Sequence, residues 1–142
     1  VRMAYRNFDV RSTYGNQLLQ KPLSARQRGF ANFGYAMKDW KIDYTINFTG
    51  EKRIPSTAMN PVEYQFPATS PGYITMNAQL SKTFGKNKSF DFYIGAENIT
   101  NYFQHTVIIA AEEPFSKYFD ASLIYGPLSI RLWYGGFRYT IK

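Results

Sequence analysis

The chain of 142 residues has the length of one domain, and its aromatic share of 18%, from 12 Tyr, 12 Phe and 2 Trp, is far from the composition of a disordered segment. Its longest obvious apolar run, residues 107–111, excludes a membrane helix of ~20 residues, and with no cysteine there is no disulfide framework, thiolate metal site or cysteine nucleophile. The net charge of +7 is scattered from Arg2 to Lys142, with short groupings at Arg26-Gln27-Arg28 and residues 82–88, so it marks out no stripe for nucleic acid.

Along the chain the hydrophobic period is two almost throughout, the signature of strands with unlike faces. Residues 1–10 alternate loosely and predict a first strand. In residues 28–37 the apolar set is Ala31, Phe33, Tyr35 and Met37. Residues 41–49 are the cleanest segment, with Ile42, Tyr44, Ile46 and Phe48 set against Lys41, Asp43, Thr45, Asn47 and Thr49. Residues 73–84 repeat the pattern, with Lys82 interrupting the apolar face. In residues 90–97, Phe90, Phe92, Ile94 and Ala96 oppose Asp91, Tyr93, Gly95 and Glu97. Residues 129–141 predict the last strand, with Trp133, Phe137, Tyr139 and Ile141 on one side. The total is six strands and no helix.

The connections alternate between short and long. Asp39-Trp40 and Gly85-Lys86-Asn87-Lys88 read as tight turns, whereas residues 11–27, 52–72 and 99–128 are long and hold all 7 Pro. Loops of that length argue against an ordinary compact domain. Short turns at one end and long loops at the other are instead the pattern of outer-membrane barrels. Strands of about 9–11 residues suit a tilted membrane crossing, since ordinary strands average about 5–6. Trp40, Tyr44, Phe84, Phe90, Phe92, Phe137 and Tyr139 near the short-turn ends would form an interfacial girdle. Lys82 would snorkel to the headgroups there. The fold expected is therefore all-β, an antiparallel transmembrane β-barrel segment of about six long strands with short periplasmic turns and long extracellular loops. A soluble antiparallel barrel or sandwich shares the same period, but with its apolar faces turned inward to a common core. Six strands are too few to close a membrane barrel, so either residues 1–142 are part of a larger one or copies assemble. The opening Val-Arg-Met-Ala-Tyr-Arg-Asn-Phe has no signal-peptide pattern and reads as the interior of a longer protein.

Several motifs resemble the C-terminal end of a TonB-dependent outer-membrane receptor of the Bacteroidota type. Phe90-Asp91-Phe92-Tyr93-Ile94-Gly95-Ala96-Glu97-Asn98-Ile99-Thr100-Asn101-Tyr102 is similar to that family's penultimate strand and its Glu-Asn-hydrophobic-Thr/Phe-Asn-Tyr ending. Tyr118-Phe119-Asp120-Ala121-Ser122, Tyr125-Gly126-Pro127 and Tyr134-Gly135-Gly136-Phe137-Arg138-Tyr139 resemble its last loop and terminal strand. Asp9-Val10-Arg11-Ser12-Thr13-Tyr14-Gly15, Lys21-Pro22-Leu23 and the run from Arg26 to Gly29 resemble a stretch several strands earlier. The resemblance implies a bacterial outer-membrane barrel of about 22 strands around an N-terminal plug. It implies uptake of a scarce ligand such as a siderophore, cobalamin, glycan or peptide, energised by the TonB complex through an N-terminal part not included in these residues. The plug, the rest of the barrel, outer-membrane lipid, lipopolysaccharide and a surface lipoprotein are the partners it implies. One departure is the ending Tyr139-Thr140-Ile141-Lys142, since such barrels commonly finish on an aromatic residue. The alternative is a small non-transporting barrel, either an oligomeric outer-membrane structural protein or a soluble ligand binder.

No catalytic constellation stands out, and neither an enzyme, a cofactor nor a metal is expected. His105 is the only histidine, and a triad with Ser116 and Asp120 lacks any nucleophile elbow or oxyanion-hole motif. The glycines within strands lack phosphate-loop spacing. For a ligand, aromatic and charged groups on loops held by a rigid scaffold are the candidates: Tyr14, Arg26, Tyr64, His105, Tyr118 and Asp120. Arg26, Arg28 and Arg131 are candidates for lipopolysaccharide phosphates.

Overall fold

A computed structural model describes residues 1–85 and 88–141. Eight strands form in chain order: β1 (Arg2–Asn7), β2 (Arg11–Tyr14), β3 (Gln17–Gln20), β4 (Gln27–Met37), β5 (Trp40–Thr49), β6 (Tyr73–Phe84), β7 (Phe90–Glu97) and β8 (Leu132–Tyr139). Six of them make one antiparallel sheet in the order β1-β4-β5-β6-β7-β8, and β2 pairs with β3 in a separate hairpin. The protein is thus all-β and antiparallel. The large sheet is an open meander whose edges are β1 and β8.

All six expected strands are present, and the register keeps their faces aligned. Tyr35, Ile42, Leu80, Ile94 and Gly135 stand side by side across five strands, as do Met37, Trp40, Lys82, Phe92 and Phe137. One residue along, Gly34, Asp43, Gln79, Gly95 and Tyr134 form a row on the opposite face. Because side chains alternate with a period of two, the whole sheet has one apolar and one polar side.

The two sides are held differently. On the polar side, Asn32 Nδ2 donates to Asp43 Oδ1 at 3.0 Å and to Thr45 Oγ1 at 2.9 Å. Thr83 Oγ1 donates to Asp91 Oδ1 at 2.6 Å, and Tyr134 OH to Gln79 Oε1 at 3.0 Å. Two cross-strand pairs, Tyr93 with Gly136 and Gly95 with Tyr134, lay each tyrosine over the opposing glycine, where a side chain would collide with the ring. On the apolar side the Tyr44 hydroxyl donates to Met76 Sδ at 2.9 Å. Lys82 lies with its ammonium 4.6 Å from the Trp40 ring and 4.9 Å from the Phe84 ring, between the aromatics expected to flank it.

Nothing among the described residues covers the apolar side. Ile42, Phe92 and Ile94 each remain 48% exposed although strands flank them on both sides. The inward-facing core of a sandwich is absent from this arrangement. The buried cluster lies in the loops instead: Ile54 (2% exposed), Ile109, Ala110 and Leu123 (1%), with Tyr64, Phe66, Tyr118 and Tyr125 packed around them.

Three details differ from expectation. The first tight turn is Lys38-Asp39, since Trp40 pairs with Met37 inside the ladder and Lys38 takes the positive φ of 53°. In the second turn, Lys86 and Asn87 lie outside the described residues; Lys88, next to them, reaches Asp39 of the first turn at 3.2 Å. The supposed loop of residues 11–27 holds the β2–β3 hairpin, closed by Gly15 (φ 59°) and Asn16 between the paired Tyr14 and Gln17. β4, β5 and β6 have 11, 10 and 12 residues, but β1 has 6 and β7 and β8 have 8 each. β7 ends early because Asn98 turns at φ 49°, a conformation asparagine tolerates better than most residues.

Candidate functional site

All the long connections leave the sheet at one end, opposite the two tight turns. The longest is tied at its base by the Glu97 to Tyr102 run. The Asn98 N–H donates to Asn77 Oδ1, and its side chain donates to the carbonyls of Tyr102 (2.8 Å) and Ser129 (2.9 Å). The Ile99 N–H continues onto the Met76 carbonyl of β6, and the Thr100 hydroxyl donates to the Ile74 carbonyl. On the returning strand, the Arg131 N–H donates to Asn101 Oδ1 and its guanidinium gives two bonds to the Ile99 carbonyl, at 2.7 and 3.1 Å. The polar residues of the run are thus the fastening between β7, β6 and the start of β8.

Further out, Gln104 is buried at 3% exposure and uses both ends of its amide. Nε2 donates to the carbonyls of Thr106 and Leu123, while Oε1 accepts from the N–H groups of Tyr125 and Gly126. It closes the loop on itself around Leu123. Lys52 is the second buried polar anchor: its ammonium donates to the Tyr125 carbonyl and lies 5.7 Å from the Tyr73 ring. Burial, reinforced by the nearby Arg28 charge, lowers its pKa from the ordinary lysine value. Among the described residues it has no carboxylate within 4 Å.

Around these anchors the aromatics form two clefts. One, of about 400 Å³, is lined by Phe66, Pro67, Pro71, Tyr102, Phe103, His105 and Tyr125 with Asn101 and Thr106. Its rings support one another: Tyr73 stacks on Tyr102 at 4.8 Å, and Phe66 meets Tyr125 edge-on at 6.5 Å. The second, of about 200 Å³, lies between the 3-10 turn Val62–Tyr64 and residues 106–112, with Glu63 and Glu112 among its lining residues. Burial raises the Tyr102 pKa, as do its neighbours Tyr125 and Tyr73. Desolvation and then the charges of Glu113 and Glu63 raise that of Tyr64.

The six ligand candidates fall into separate places. His105 is exposed on the larger cleft, its ring 4.3 Å from Phe103. Tyr64 lines the smaller cleft and packs on Tyr118 at 5.8 Å. Asp120 pairs with Ile109 through the backbone and accepts the Ser122 N–H at 2.7 Å, so it shapes the loop beneath Tyr118. Tyr14 and Arg26 stand apart from the clefts. The Tyr14 ring receives the Arg53 guanidinium at 5.1 Å, and Arg53 also donates to the Gln20 carbonyl. Arg26 approaches Asp9 at 3.9 Å, behind the shorter Arg11–Asp9 pair at 2.8 Å, and the hydrogen bond from Arg11 holds the Asp9 carboxyl below its usual pKa. Of the arginines considered for lipopolysaccharide, Arg28 points to the polar side of β4, and Arg131 is occupied by the Ile99 carbonyl.

The hydroxyl of Ser116 accepts the Tyr118 N–H, and no hydrogen bond joins Ser116, His105 and Asp120. No cluster of three or more metal-ligating side chains occurs among the described residues. Gln104 and Lys52 escaped the sequence reading because their partners Leu123, Tyr125 and Gly126 are distant in sequence. Only the Asn98 motif carried a local signal. No protein-family model matches the chain, and neither a curated protein nor a solved structure matches it significantly.

Proposed function

We propose that this chain is a wall segment of an outer-membrane β-barrel, the C-terminal part of a TonB-dependent receptor, in which the long loops supply part of the extracellular ligand surface. The observation that carries the barrel reading is the apolar side of the sheet, continuous in register over six strands and half-exposed at its centre. Water is a poor solvent for such a face, whereas lipid covers it without further protein. The dimensions agree. The 10 residues of β5 extend about 33 Å, and a tilt of about 40° gives a height of about 25 Å, that of a barrel's apolar band. The polar side, self-bonded through Asn32, Asp43, Gln79 and Tyr134, suits a watery lumen. Both edges need partners, because unpaired amides of β1 and β8 in lipid would cost several kcal/mol each. The rest of a longer chain would supply them. The receptor assignment rests on the motif resemblance, and the clefts around His105 and Tyr64 are where a ligand would meet the loops. Repeated copies of a small non-transporting barrel protein are the second reading, favoured by the same two open edges.

Residues 1–142 contain no cysteine, so single cysteines at positions 42 and 94 (apolar side) and 45 and 79 (polar side), placed in the intact protein with any cysteine outside these residues replaced by serine, test the wall directly. In native outer membranes the first pair should resist a water-soluble maleimide, and a fluorophore there should be quenched by lipid-borne spin labels; the second pair should label readily. Equal labelling on both sides would refute the membrane wall. The denatured size of the native protein separates the two readings, a large polypeptide supporting the receptor and a chain near 142 residues the self-assembling barrel.

A further inference from the structure

The polar side of the sheet carries an arrangement that the wall role does not require. Arg6 of β1 and Arg28 of β4 are direct cross-strand partners. Facing residues of an antiparallel pair have Cβ atoms about 4.5–5.5 Å apart, and like charges at that spacing repel. Neither guanidinium has a carboxylate within 4 Å among the described residues. The nearest acid in sequence, Asp9, is engaged by Arg11 and Arg26. Asp43 and Asp91 are hydrogen-bonded elsewhere on the polar side, to Asn32 and Thr83. Lys52 adds a third positive group near Arg28, and its lowered pKa has that proximity as one cause.

The two arginines border a hollow of about 400 Å³ whose polar-side lining is completed by Thr49 and by the row of Ala4, Phe30 and Asn47. Thr49 is the register partner of Arg28, and Asn47 that of Phe30. The hollow thus presents two forked donors, an amide, a hydroxyl and one half-exposed aromatic face. Arg6 is partly steadied by the Phe8 ring, 4.9 Å from its guanidinium carbon. Two guanidinium forks with neighbouring neutral donors match an oxyanion, which can take parallel hydrogen bonds from each.

We infer that the Arg6–Arg28 pair is an anion-binding site for a carboxylate- or phosphate-bearing small molecule, with Phe30 available to a planar part of it. The site rests on the proposed function in one respect, that the polar side faces a solvent-filled lumen where such a molecule passes. Recruiting an anion relieves the repulsion between the two arginines, so ligand and sheet edge stabilise each other.

The test uses the intact protein in detergent or nanodiscs at low ionic strength, with inorganic phosphate and succinate as probes in isothermal titration calorimetry. At least one probe should bind saturably and raise the melting temperature. Arg28→Gln and Arg6→Gln should each weaken binding at least about tenfold, as expected for losing a charge-assisted bond. Arg2→Gln, on the same side of β1 but opposite Asn32, should leave it unchanged. Without probe, Arg28→Gln should melt no lower than the unsubstituted protein, because it removes a like-charge contact. Absence of saturable binding for both probes, or equal weakening by Arg2→Gln and Arg28→Gln, overturns the site. A lowered melting temperature for Arg28→Gln also overturns it, since the pair would then be neutralised by a carboxylate elsewhere in the protein. Probe binding with these variant effects in a protein that fails the cysteine-labelling test would leave the anion site standing and the membrane wall refuted. Membrane insertion without probe binding would do the reverse.

Discussion

Replacing Gly95 by alanine places a single methyl group at the tightest point of the polar side. Gly95 faces Tyr134 across β7 and β8, and the tyrosine ring occupies the space a Cβ would need. That Cβ would also stand 2.8 Å from the Ala78 carbonyl oxygen, which belongs to the central strand β6 and cannot retreat without disturbing its ladders. The ring can swing away, but doing so breaks its 3.0 Å hydrogen bond to Gln79. Overpacking costs about 1–3 kcal/mol and the lost hydrogen bond about 1 kcal/mol, so Gly95→Ala is expected to destabilise by about 2–4 kcal/mol. The reciprocal Gly136→Ala meets the far end of Tyr93, with the hydroxyl 2.6 Å from the new Cβ, and should fall at the low end of that range because a tyrosine tip can move. In a Tyr134→Ala background the ring clash disappears while the contact with Ala78 persists. The cycle should therefore show a coupling of about 1–2 kcal/mol. The measurement is reversible denaturant unfolding of the intact protein in micelles, with unheated gel mobility as a check on the folded state. A Gly95→Ala protein within about 0.5 kcal/mol of the parent, or equal losses with and without Tyr134, would refute the packing argument.

Gln104→Ala leaves the N–H groups of Tyr125 and Gly126 and the carbonyls of Thr106 and Leu123 without their side-chain partner. A loss of about 2–5 kcal/mol is expected, confined to the loop: hydrogen exchange should quicken across residues 104–126 with β5 and β6 unchanged, and equal quickening in the sheet would contradict a separately closed loop. Lys52 binds protons less readily in the folded loop than in the unfolded chain, so stability should rise as pH increases from its folded pKa toward the ordinary value of 10.5. Tyr64 and Tyr102, whose pKa values are raised above 10.0, work in the opposite sense over a higher range. The Lys52 part is therefore the difference between parent and Lys52→Met melting curves followed from about pH 8 to about pH 11, a span that brackets the ordinary lysine value from below; parallel curves would remove the buried-lysine explanation.

The sheet was legible because its signal is strictly local: Ile42, Tyr44, Ile46 and Phe48 alternate with polar residues, and the register propagates that alternation to every neighbour. The β2–β3 hairpin was missed although Gly15-Asn16 is a two-residue turn sequence, because its strands of four residues are too short for alternation to stand out. The displaced turn at Lys38-Asp39 has the same origin, since composition favoured neither residue as the one with positive φ. Site residues were chosen as loop groups with binding chemistry, which found the Tyr64–Tyr118 pair but passed over Gln104 and Lys52. A buried amide whose four partners lie between Thr106 and Gly126 leaves no periodic trace. Arg6 and Arg28 were visible as charges, but that they face one another depends on a register set across the intervening hairpin.

The bonds from Asn98 to Ser129 and from Arg131 to Ile99 draw the two ends of the longest connection together at the rim of the sheet. The entropy of closing a loop grows only slowly with its length once its ends are fixed. The residues between this neck behave as an exchangeable cassette: insertions, deletions or wholesale replacement there would alter what the surface touches while β7 and β8 keep their register. The pairing of the sheet is thereby insulated from the length and sequence of the connection it carries.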